Sequence, residues 1–137
     1  MVKIKVAWNR NKSKSVVLSK LKEFSIKETI SDGSFIFGWY NKENSFIFGA
    51  FVNKKEAVDY LKNLYKAAKI KVGWNEDNTK SVVLSKIKEF SIDPKYIGER
   101  DLFLVQGWYN KENSFIFGTF DSESKAMDYL EGIHKLV

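Results

Sequence analysis

The chain has no cysteine, a single proline (Pro94) and a single histidine (His134) among its 137 residues. Without thiols it has no disulfide, no thiolate metal site and no cysteine nucleophile. His134 falls at the end of the last helical pattern, where an imidazole complements the helix dipole more naturally than it serves as a base. No metal-ligand spacing, Ser-His-Asp set or glycine-rich phosphate loop is present. The acids of 75–78 (NEDN) have an NRNK counterpart and read as a solvated loop. These absences predict a protein that is not an enzyme, with no catalytic residues, no metal and no cofactor. No apolar run reaches the length of a membrane span, and residues 1–8 (MVKIKVAW) alternate charged and apolar residues, unlike an export signal. The expectation is a cytoplasmic protein with no membrane partner.

What is present is apolar and basic. Hydrophobic residues make up 44% of the chain and aromatics 15%, enough to build a core. The net charge is +6 and unevenly placed. Residues 1–68 carry 13 Lys/Arg against 6 Asp/Glu, a balance of +7, whereas residues 69–137 carry 10 against 11, a balance of −1. A basic half beside a neutral half suggests a polyanion or an acidic partner. Drift after duplication explains it equally well.

The sequence repeats itself. Residues 3–27 align without gaps on 69–93, and the dodecapeptide GWYNKENSFIFG occurs at Gly38 and again at Gly107. Each half reads as β-α-β-β-α, the ferredoxin-like order without its last strand. The first strand is 3–8, and a helix begins at Ser13 or Ser15 with Val17, Leu18, Leu21 and Phe24 on one side. A hairpin turns at 41–44, and a second helix carries Ala57, Tyr60, Leu61 and Leu64. The predicted fold is α+β, a tandem duplication with repeats 1–68 and 69–137 packed rigidly as one globular domain. Pairing the two first strands would heal two bare edges and give a pseudo-two-fold six-stranded sheet, ordered 2-3-1-1′-3′-2′, with four helices on one face. The alternative is beads on a string, the second copy's first strand completing the first copy's sheet.

Alternation separates the faces of the hairpin. A turn centred on Lys42-Glu43 pairs Trp39 with Phe46 and Phe37 with Phe48. One face then holds Ile36, Gly38, Ile47, Gly49 and Phe51, its glycines lying close to a helix. The other holds Phe35, Phe37, Trp39, Phe46 and Phe48, answered in the second copy by Leu104, Gln106, Trp108, Phe115 and Phe117. If Ile4 and Val6 face the helices, Lys3, Lys5, Lys69 and Lys71 share the aromatic face, with Trp8 and Trp74 as ends of the core. Aromatics interleaved with lysines suit base stacking and phosphate contacts. The same slab also suits burial against another protein or in a homodimer, and with the faces inverted it is core.

Residues 45–64 (SFIFGAFVNKKEAVDYLKNL) resemble the third strand and following helix of RNA-recognition motif domains. The resemblance implies stacking positions at Phe46 and Phe48, an inward aromatic at Phe51 and a helix alanine at Ala57, repeated at Phe115, Phe117, Phe120 and Ala126. It departs at Asn44-Ser45, where that family has Lys/Arg-Gly, at Ile47, and at Lys5, where an aromatic is usual. The same segment is similar to SPOR domains, which bind peptidoglycan outside the cytoplasm. Two functions follow as expectations: binding of single-stranded nucleic acid, or docking on a partner protein as a small inhibitor or regulator, such as a mobile element would encode.

Overall fold

A computed structural model describes residues 5–136. It is a mixed α+β structure with two helices and ten strands in three sheets. The first half runs β1 (Val6–Trp8), β2 (Ser15–Val17), a 3₁₀ turn (Leu18–Lys20), β3 (Glu23–Glu28), β4 (Ser34–Trp39), β5 (Ser45–Phe51) and α1 (Lys54–Ala68). The second half repeats that order with β6 (Val72–Trp74), β7 (Lys80–Val83), a 3₁₀ turn (Leu84–Lys86), β8 (Glu89–Ile97), β9 (Arg100–Trp108), β10 (Ser114–Phe120) and α2 (Glu123–His134). The strand orders are β1-β2, β5-β4-β3-β7-β6 and β10-β9-β8.

Two expectations are corrected. Among the described residues there are two helices, not four, because the segment expected to be the first helix of each half is a strand, a 3₁₀ turn and another strand. Its buried residues are Val16, Leu18, Phe24 and Ile26, spaced by two at either end, with buried Leu21 just past the turn. β-branched Val16 and Val17 favour that extended course. The six-stranded sheet with its first strands paired is also replaced, since β1 pairs with β2, Val6 opposite Val17 and Trp8 opposite Ser15.

The chain divides into two compact units, the first running to Ile70 and including Asn78–Ser81, the second made of Lys71–Asp77 and the residues from Val82 onward. In the first unit α1 begins at Asn53, whose side chain accepts the Glu56 amide, and ends at Lys69 in the left-handed region at φ 56°. It buries Ala57, Leu61 and Tyr65 over β3, β4 and β5, where Phe24, Ile36 and Phe48 are buried. Phe24 packs edge-on to Tyr65 at 5.1 Å and 6.0 Å from Phe48. On the other side of β3, the Ile26 amide donates to the Thr79 carbonyl at 2.7 Å. The Tyr65 hydroxyl meets the buried Ser81 hydroxyl at 2.5 Å. In the second unit α2 is capped by Ser122, and its Ala126 and Ile133 share a core with Val82, Leu84, Val105, Phe115 and Phe117.

Candidate binding face

The geometry of the hairpin found in both halves starts at its asparagines. Asn41 Oδ1 accepts the amides of Glu43 and Asn44, both at 2.9 Å, so the side chain imitates a backbone turn. The Tyr40 amide donates to the Asn44 carbonyl, which leaves a loop of three residues, 41–43. The sequence reading centred the turn on Lys42-Glu43, with Trp39 opposite Phe46. Centring the loop on Lys42 alone shifts β5 by one place against β4, so Trp39 stands opposite Ser45 and Gly38 opposite Phe46. Because side chains alternate, that slip sends the β5 residues near the turn to the other face. Asn110 makes the same turn in the second unit, with Trp108 opposite Ser114.

A bulge then corrects the frame. Ile36 pairs with Gly49 and Phe37 with Ile47, leaving Phe48 as the extra residue. Phe117 is the extra residue in the second unit, between Ile116 and Gly118. The carbonyl of each bulged residue accepts an amide from a loop: Arg10 to Phe48 at 2.6 Å, and Glu76 to Phe117 at 2.7 Å. Arg10 also donates to the Ala50 carbonyl, lies 3.5 Å from Glu56 and stacks 4.9 Å above the Phe51 ring. Gly49 has φ 133°, and a Cβ there would lie 2.9 Å from the Arg10 Cβ; at Gly118 it would lie 2.6 Å from Glu76 Oε2. These glycines make room for loops rather than helices, which corrects the reading of a helix close above them. Gly38 is the one pressed into the core, against Leu21 and Phe48.

Slip and bulge together divide the expected aromatic slab. Phe48, Phe115 and Phe117 are fully buried, and Phe46 is half-buried, edge-on to Phe48 at 4.9 Å. Ile47, read as core, is 54% exposed. Phe35, Phe37 and Trp39 stay on the outer face, half-buried, with the Phe37 and Trp39 rings 6.0 Å apart. The lysines are not shown beside them. Lys5 donates its ammonium to the Ala68 carbonyl at the end of α1, at 2.8 Å. Lys69 is the C-cap of α1, and exposed Lys71 gives its carbonyl to the Leu84 amide at 3.0 Å. Lys3 and Ile4 lie outside the described residues. β1 is turned over relative to the expectation, with Ala7 buried, Val6 47% exposed and Trp8 51% exposed. Trp8 is therefore not a core residue, and its carbonyl accepts the Tyr60 hydroxyl at 2.8 Å. Burial pushes up the pKa of Tyr60 and, more strongly, that of Tyr65, where the Ser81 hydrogen bond offsets part of the effect. Tyr129 donates likewise to the Trp74 carbonyl; burial, then the Glu76 charge, pushes its pKa up to about 12.

The outer faces of the two sheets differ in kind. In the first unit β3 supplies Ser25 and Lys27, opposite Phe37 and Phe35, and the Trp39 indole donates to Ser25 Oγ at 2.8 Å. In the second unit the Trp108 indole makes the same bond to Ser91. There Ser91 Oγ and Gln106 Nε2 both donate to Asp93 Oδ2, at 2.7 and 2.8 Å, and Ser114 donates to Gln106 Oε1 at 2.9 Å. A cleft of about 470 Å³ beside Trp108 is lined by Lys88, Glu89, Ser91, Asn110 and Lys111. The sequence reading missed Ser25 and Ser91; the alternation of β3 and β8 opposite the tryptophans was the available signal.

Among the described residues no group of three or more His, Cys, Asp or Glu side chains is placed to hold a metal ion, and no helix is long and apolar enough to cross a membrane. His134 ends α2, exposed, with its ring edge-on to Phe90 at 5.1 Å. Comparison of the chain with protein-family models, with curated proteins and with solved structures finds no match.

Proposed function

We propose that this chain is a non-catalytic protein-binding module and that the outer face of the first sheet is its docking surface. The observation that carries the reading is the apolar strip Phe35, Phe37, Trp39 and Ile47, unbroken where the second sheet keeps Leu104, Trp108 and Ile116 but sets Gln106, hydrogen-bonded to Asp93 and Ser114, in place of Phe37. A contiguous apolar surface is a common mark of an interaction site. The partner would offer an apolar surface with acidic flanks. Lys27 sits opposite Phe35, and the first half of the chain carries the +7 balance. The same charge split favours a second reading, single-stranded nucleic acid stacked on Phe37 and Trp39. Against it, Phe46 and Phe48 are drawn toward the core and Lys5 is spent on the end of α1. Titration with labelled pyrimidine and purine strands at two salt concentrations separates the readings. The protein-binding proposal expects no measurable affinity in low salt. Binding that steepens as salt falls and weakens roughly tenfold or more in Phe37→Ala would overturn it.

A further inference from the structure

The strands β3 and β8 carry matching sequence, yet their far sides are treated differently. In the first unit the side of β3 away from β4 is covered by residues 78–81, with the Ile26 amide bonded to the Thr79 carbonyl and Ser81 buried against Tyr65. In the second unit β8 ends its sheet among the described residues, and Phe90 and Ile92, matching buried Phe24 and Ile26, are only half-buried. The segment that matches 78–81 is 12–15, and there Ser15 is exposed, with Val17 beside it 36% exposed. One chain thus holds an uncovered strand edge and an uncovered copy of the segment that covers that kind of edge. Unpaired edges of this sort are templates for strand addition.

We propose that a second copy of this chain fills the edge, its residues 12–17 adding to β8 as 78–81 add to β3. The Ile92 amide would take the Ser13 carbonyl of the second copy, and Ser15 of that copy would come to His134, which stands where the first unit has Tyr65. Amides two apart on a strand point the same way, so proline at position 94, which has no amide hydrogen, stops the added ladder just past Ile92. The junction is short and has a fixed register. It joins unlike surfaces, so two chains close it reciprocally or many extend it in a line.

Sedimentation of the full chain across a micromolar-to-millimolar series tests this. The wild type is expected to associate as concentration rises, and Ser15→Lys to remain monomeric throughout with an unchanged melting temperature, since Ser15 is exposed in the monomer whereas Ser81 is buried. Ile92→Pro, which removes the outward amide, should also remain monomeric. Phe37→Gln, on the outer face of the first sheet, should associate like the wild type. A wild type that stays monomeric at millimolar concentration overturns the proposal. So does undiminished association of Ser15→Lys, and association lost in Phe37→Gln would move the contact to the sheet face.

Discussion

Where the first sheet presents Phe37 to its outer side the second presents Gln106, and where the first has Lys27 the second has Asp93. The inner sides of the same strands agree closely, with Ile36 and Phe48 answered by Val105 and Phe117, all fully buried. Packing fixes an inner face far more tightly than it fixes an outer one, because a core tolerates little change in volume. The outer face of the second unit is closed by Asp93, which takes hydrogen bonds from Ser91 and Gln106 together. The first has the tryptophan-serine bond alone of that set, and the rest of its strip is hydrocarbon. That divergence is the ground on which the proposed interaction is placed on the first unit.

The largest effects should come from breaking what the units share. Phe48→Ala and Phe117→Ala should each cost ~3–5 kcal/mol in chemical denaturation, as expected for an emptied core site. Near-neutral results would mean that these rings are outside after all. Gly38→Val should cost ~1–3 kcal/mol by overpacking, since its new carbons would press on Leu21 and Phe48.

Smaller effects sharpen the contrast between the faces. Asp93→Ala leaves Ser91 and Gln106 without their acceptor and should cost ~1–3 kcal/mol, whereas Lys27→Ala should stay within ~0.5 kcal/mol. Equal losses would show that the polar network adds nothing to the second face.

Alkaline pH probes the tyrosines. Tyr129 is held at about 12 against an ordinary 10, so the unfolded chain gives up that proton first. Its contribution is complete below pH 10 and is lost as pH rises from 10 through about 12. Tyr129→Phe should flatten the alkaline limb of the stability profile, and an unchanged limb would place the loss at Tyr60 or Tyr65. The smallest effect belongs to the exposed Lys55–Asp59 pair on α1, 2.9 Å apart, where Lys55→Ala should cost only ~0.3–0.5 kcal/mol.

The α+β class, the hairpin, the final helix of each half and its apolar stripe were legible in the sequence. The 13–27 segment was not, because Val17, Leu18, Leu21 and Phe24 fit a helical stripe while Val16/Leu18 and Phe24/Ile26 fit two short strands equally well. The site was half legible. Phe37, Trp39 and Trp108 stand on the outer face that alternation gives them because β4 and β9 keep their frame. Phe46, Phe48, Phe115 and Phe117 do not, because their face depends on one residue of loop length at Asn41 and Asn110. The polar closure over Trp108 needed the register of β8, which only the folded sheet defines.

The most direct test of the central claim is retention of protein from nuclease-treated cell extract on the immobilised chain. Wild type is compared there with Phe37→Gln, which gives the first face the residue of the second, and with Ile116→Gln on the second face. The account predicts that a protein retained by the wild type and by Ile116→Gln is lost with Phe37→Gln. Retention unaffected by Phe37→Gln, or lost only with Ile116→Gln, would contradict it.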